Sequence, residues 1–175
     1  MTLSRSEREQ VIAQYAAGPA RLKTALAKVP KDAMMWRPAP REWSAHEIVC
    51  HCADSETNGY ARIRYLLAET DPVIQGYDQE EWARRFDYHG QPLEPALAVV
   101  EAVRANTVAL LRRLPEAAWV REGRHTESGR YTAEDWLAIY ADHLEGHATP
   151  VPPRARASRS PAAARRQRSR PRSQG

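Results

Sequence analysis

Residues 92–114 read PLEPALAVVEAVRANTVALLRRL, and the spacing of their apolar members decides the fold. Leu93, Ala96, Val100, Val103, Thr107, Leu110 and Leu114 recur at alternating intervals of three and four, the seam of a helix packed in a bundle. Such a helix is apolar along one stripe only and needs partners of the same kind.

The flanking sequence supplies them. A first helix is predicted over residues 5–28, with Val11, Tyr15, Leu22, Leu26 and Val29 near one stripe and a kink or short break at Gly18-Pro19, where proline lacks an amide donor and crowds the preceding turn. Ser44 and Glu47 form the S-x-x-E capping box that opens a second helix, running to about Leu67–Glu69 before Asp71-Pro72. Ile48, Cys52, Ser55, Gly59 and Leu66 fall near its inner face. Residues 71–91 read as a connection with one short helix around Gln79–Arg85. A long loop follows residue 114, rich in glycine and charge, and a last helix starts near Thr132 with Glu134 and Asp135 at its positive end. Pro150 closes that helix. No strand and no internal repeat is predicted, so the fold class is all-α, a four-helix bundle.

The formal charge of +4 hides two different polymers. Residues 148–175 hold eight of the 26 basic residues and no acid, leaving 18 against 22 acids in residues 1–147: −4 for the bundle and +8 for the tail. The tail has no aromatic and cannot bury enough surface to offset its ordering entropy, so disorder is expected there. The domain division is therefore 1–147 for the bundle and 148–175 for an Arg/Ser/Pro/Ala-rich tail. No apolar run is long enough to span a bilayer and the N-terminus lacks a secretory signal, which places the chain in the cytoplasm with no membrane partner. Cys50 and Cys52 diverge on a helix and are expected as reduced thiols, not as a pair or a metal clasp.

Chemistry gathers at three histidines. His143 and His147 form H-x-x-x-H, about 400° of turn and about 6 Å of rise apart, so their imidazoles share one side with Trp136 and Tyr140. His51 lies one to two turns into the capped helix, on or beside its inner face. Asp54, Asp142 and Glu145 stand nearby as candidate acceptors for imidazole N–H groups, or simply as solvated acids, while Glu47 serves the capping box.

Two motifs add a resemblance. W-x-P-x-x-x-E-W-S-x-x-E-I-x-x-H (Trp36 to His51), with Ala53–Glu56 (ADSE) behind it, and G-x-H-x-E-x-G-x-Y-T (Gly123 to Thr132) leading into H-x-x-x-H resemble the DinB/YfiT-like superfamily of metal-binding four-helix bundles over roughly residues 5–147. The resemblance implies that His51, His143 and His147 hold one divalent ion such as Ni, Zn, Mn or Fe. It implies a homodimer, a bacterial source and a small-molecule reaction of hydrolase or low-molecular-weight-thiol S-transferase type. Three imidazoles leave a coordination position open, as catalytic rather than structural sites do. Relatives continue their last helix beyond the final histidine; here Pro150 follows closely, so more labile metal binding is expected.

The remaining candidates rank lower. His125 lies in the family-like loop motif and is within possible reach of the metal. His46 is about 140° around the helix from His51, and His89 stands in a connector and is expected to be solvent-exposed. Asn58 and Arg62 follow His51 along its side, either binding a cofactor's carboxylates or lining the rim. Ser55 and Gly59 leave room for substrate or only for close packing. Catalytic and thiol-binding residues are not assigned. Two other functions compete: a non-catalytic metal or ligand binder of the same fold, and non-specific nucleic-acid binding through the tail's arginines.

Overall fold

The computed structural model describes residues 3–40 and 42–147; the tail and the closure of the last helix at Pro150 lie outside the described residues. Among the described residues there are five α-helices, α1 (Arg5–Leu26), α2 (Ala45–Ala68), α3 (Gln79–Arg85), α4 (Leu93–Leu111) and α5 (Ala133–His147), with short 3-10 turns at Lys31–Ala33 and Glu116–Ala118. The four long helices make the bundle. α1 packs against α4 and α5, and α2 packs against the same two, so the first two helices stand at opposite corners. Among the described residues, no helix is long and apolar enough to cross a membrane.

Local chemistry accounts for the helix starts. Ser4 and Glu7 form a full capping box on α1, and Ser44 and Glu47 form the second on α2. Asp78 caps α3 through the amide of Glu81, and the Thr132 hydroxyl accepts from the amide of Asp135 at the head of α5.

Two expectations are corrected. Strands are present: β1 (Val73–Ile74), β2 (Glu122–His125) and β3 (Gly129–Thr132) form a small sheet. β2 and β3 pair antiparallel, Glu122 opposite Thr132, and β1 joins β2 in parallel, Val73 opposite Arg124. The long loop is thus a hairpin, turned at Gly129 with φ of 81°, a conformation that favours glycine. Its residues are mostly polar or glycine and exposed, and only Tyr131 and Thr132 are buried, so no alternation announced it. The second correction is α1, which continues through Pro19 without a break.

The buried stripe of α4 runs through Ala96, Val100, Arg104, Thr107, Val108 and Leu111, so an arginine occupies its middle. Two apolar clusters fill the bundle. One holds Leu22, Val49, Cys52, Val100 and Leu144; the other holds Tyr15, Ile63, Val108, Trp136 and Leu137. Between them lies a polar layer of Glu56 and Arg104, 0% and 1% exposed as side chains, bonded at 2.6 Å. Arg104 also donates to the backbone carbonyls of Tyr15 at 2.5 Å and Tyr140 at 2.7 Å, tying α1, α2 and α5 to α4.

Candidate metal centre

α2 and α5 bring His51, His143 and His147 together, with a ligand atom of each within 4.8 Å of the others. Nε2 of His51 lies 3.2 Å from Nε2 of His143, and the rings of His51 and His147 are 5.0 Å apart between centroids. Two imidazole nitrogens face to face at this distance share either one proton or one cation. The separation also suits two nitrogens bound about 2.0–2.1 Å from a common tetrahedral ion.

Electrostatics keep two of the three rings, His51 and His147, neutral. Burial, then the neighbouring His143 and His147, push the pKa of His51 down to about 3. Burial, then His143, lowers His147 to about 4. Neutral imidazoles are the form that donates a lone pair to a metal. The donor set of three nitrogens therefore fits a borderline divalent ion, and no cysteine or carboxylate joins it among the described residues.

The surroundings fix two of the rings. Nδ1 of His143 lies 3.4 Å from Oε1 of Glu56, so a proton held there leaves Nε2 bare toward His51. Burial works against a charged Glu56, but hydrogen bonds from His143 and Arg104 outweigh it and lower its pKa. Trp43 packs on His51 at 4.6 Å between ring centroids, while the buried Nδ1 of His51 has no partner among the described residues.

The acceptor is Glu56, not the acids expected from spacing. Asp54 accepts from the Tyr88 hydroxyl at 2.6 Å, and Asp142 and Glu145 accept from Gln14. Glu47 serves its capping box and also pairs with Arg37. Glu56 was hidden because it lies about 140° around α2 from His51 and serves a histidine on another helix.

The other candidates separate. Nε2 of His46 meets the Gln91 carbonyl at 2.8 Å, outside the cluster. His89 is partly exposed rather than free, with Nδ1 3.2 Å from Glu47. His125 sits at the end of β2, where the amides of Glu127 and Ser128 donate to its Nδ1; it does not join the cluster. Gly59 permits close packing, since a Cβ there would lie 2.5 Å from the Tyr140 ring. Asn58 bonds back to the Asp54 carbonyl, and Arg62 donates to the Tyr140 hydroxyl at 3.1 Å. Cys50 and Cys52 are buried free thiols, and burial raises both pKa values, Cys50 to about 11.

Known proteins resemble this chain in sequence and fold. The family described as the DinB superfamily matches residues 14–151. A relative from Oceanobacillus iheyensis, provisionally named a metal-dependent hydrolase, is 36% identical over 105 residues, 60% of each chain. The match to a similarly named protein of Halalkalibacterium halodurans spans 61% of that relative, so the chain covers about three fifths of the length of both. YfiT of Bacillus subtilis, also provisionally named a metal-dependent hydrolase, is 28% identical over 148 residues, 83% of each chain. The solved structure of YfiT, a four-helix bundle of unusual topology, superposes with a TM-score of 0.78 over 84% of this chain and 85% of that one, at 26% identity. A mutant of a mycothiol-dependent maleylpyruvate isomerase shares the fold at 13% identity, TM-score 0.65, over 81% of this chain and 59% of that one.

Proposed function

The chain belongs to the DinB superfamily, and from that premise we propose that it is a metal-dependent enzyme acting on a small molecule, as a hydrolase or a thiol S-transferase. Its ligands are His51, His143 and His147, and the ion is one divalent metal such as Ni, Zn, Mn or Fe. The observation that carries this reading is the convergence of three histidines, two of them with Nε2 atoms 3.2 Å apart. The names of the relatives as metal-dependent hydrolases support it, and the mycothiol dependence of the isomerase with the same fold supports a thiol as co-substrate.

A divalent ion bound by three imidazoles supplies an open Lewis-acid position that lowers the pKa of a bound water or thiol. The protein's own groups do the rest. Glu56 holds the Nδ1 proton of His143 and keeps its Nε2 available, and Trp43 restricts the ring of His51. Both histidines are thereby oriented before any ligand arrives. The same reading makes the protein a cytoplasmic homodimer, which light scattering and cell fractionation check.

One observation favours a second reading, a metal or ligand binder without turnover. The acids nearest the cluster are already engaged, Glu56 with Arg104 and Asp54 with Tyr88, so none stands free as a general base. Nucleic-acid binding through residues 148–175 concerns a segment outside the described residues.

Metal content decides the first step. Untagged protein, purified without added metal, is expected to carry near one equivalent by mass spectrometry, lost in His51→Ala and in His147→Ala. Thiol-dependent turnover of monochlorobimane, or hydrolysis of an activated ester, then separates enzyme from binder. Wild-type protein that neither carries nor takes up metal would overturn the reading.

A further inference from the structure

Beyond the histidines, the same face of α2 carries a second polar group. Arg62 lies eleven residues after His51, about 20° around the helix and three turns along it, with Ser55 between them. On α5, Tyr140 stands three residues before His143, and its hydroxyl accepts from Nη1 of Arg62 at 3.1 Å. The guanidinium also donates to the Gln75 carbonyl and lies 5.7 Å from the centre of the Tyr77 ring. Ser55 lies beside both phenols. A continuous polar track thus runs from the histidine cluster through Ser55, Tyr77 and Tyr140 to Arg62.

Charge along that track is unbalanced. Among the described residues, the two fully buried arginines have carboxylates, Arg8 with Glu116 and Glu134, Arg104 with Glu56. Arg62 is half-buried, yet among the described residues no carboxylate lies within salt-bridge distance of it. Its present acceptors, a carbonyl and a phenol, are dipoles and leave its full charge uncompensated. Among the described residues, its buried Nε has no hydrogen-bond partner, and neither does the buried hydroxyl of Tyr77 beside it. Orphaned donors around an unpaired cation incur a desolvation cost that a ligand carboxylate would relieve, accepting from the guanidinium and the phenol together.

We propose that Arg62, with the Tyr77 hydroxyl, receives a carboxylate of the small molecule whose reacting end meets the three histidines. The assignment deepens the reading above by naming the substrate class, a carboxylate-bearing metabolite or thiol. Arg62 is then a specificity residue that selects anionic over neutral molecules of the same length. Its tie to Gln75 fixes the end of β1 and keeps the guanidinium in place before binding.

Succinate is the probe. It is titrated into full-length protein, both as purified and after metal removal, with metal content measured on every sample. The Nε–H resonance of Arg62, assigned by its loss in Arg62→Lys, is expected to move saturably with succinate and not with chloride at equal ionic strength. Calorimetry is expected to give succinate binding at least tenfold weaker in Arg62→Met and weaker in Tyr77→Phe, with metal content unchanged in both. A shift that does not saturate, or a folded Arg62→Met or Arg62→Lys that binds succinate as wild type does, would overturn the proposal. A purely structural Arg62 predicts lower thermal stability in its variants with no saturable succinate signal in the wild type. Absence of metal removes the metal-centre reading alone, because the metal-free titration still tests Arg62.

Discussion

Arg104 donates a 2.5 Å hydrogen bond to the carbonyl of Tyr15, the acceptor whose helical donor would be the amide that Pro19 lacks. Proline therefore leaves no orphaned acceptor at that point, and α1 continues across it. Gly18 completes the arrangement, because a Cβ there would lie 2.3 Å from Nη1 of Arg104. The Gly-Pro pair reads locally as a helix breaker. In the bundle it is a socket for an arginine from another helix.

Removing that arginine strands a buried carboxylate. Arg104→Met is expected to destabilise the protein by about 3–5 kcal/mol, since Glu56 is left charged or forced to protonate. Arg104→Lys recovers only part, because one ammonium cannot reach Glu56, Tyr15 and Tyr140 as the planar guanidinium does. Combining Arg104→Met with Glu56→Gln should cost less than the two single changes summed. Urea unfolding of the four proteins measures this; strict additivity would mean that the pair is not coupled.

Two glycines should respond to alanine with opposite signs. Gly18→Ala is expected to cost about 1–3 kcal/mol, as the new methyl group displaces a guanidinium held by three acceptors. Among the described residues nothing lies within 4 Å of a would-be Cβ at Gly146, inside α5, so Gly146→Ala should stabilise by about 0.5–1 kcal/mol. Thermal melts of both variants check the signs.

Glu56→Gln should weaken metal binding about 10- to 100-fold without removing a ligand. The amide presents a poorer acceptor to Nδ1 of His143, so that ring is less firmly set with Nε2 toward His51. Competition with a chelator, at a temperature where the variant remains folded, gives the affinity. Wild-type affinity in folded Glu56→Gln would show that His143 needs no such support.

Acid stability reports on Glu47. Burial raises its pKa, but hydrogen bonds from Arg37 and from the Ser44 amide and hydroxyl outweigh this and bring it down to about 2. A carboxylate lowered on folding stabilises the native state above its unfolded pKa near 4.5, and that contribution fades as pH falls from there toward 2. The upper bound is about 3 kcal/mol, reduced by the solvent around Arg37. Glu47→Gln is expected to lower stability at pH 7 and to flatten its pH dependence between 4.5 and 2. Parallel curves for wild type and variant would remove Glu47 from the account.

How much of this was legible beforehand follows from the range of the interactions. Helix periods, the Ser44–Glu47 capping box and the i,i+4 spacing of His143 and His147 are written within a few residues, so the bundle, the starts of α1 and α2 and the two-histidine face could be read directly. The family motifs extended that reading to His51 and to membership of the superfamily. The parallel pairing of β1 with β2, the unbroken α1 and the role of Glu56 could not be read so. Each depends on a partner distant in the chain: β1 on β2, Tyr15 on Arg104 and His143 on Glu56. Arg104 shows the reason most plainly. An arginine in an amphipathic pattern counts as surface, because burying a charge is unfavourable unless a countercharge waits inside, and only the tertiary structure places Glu56 there.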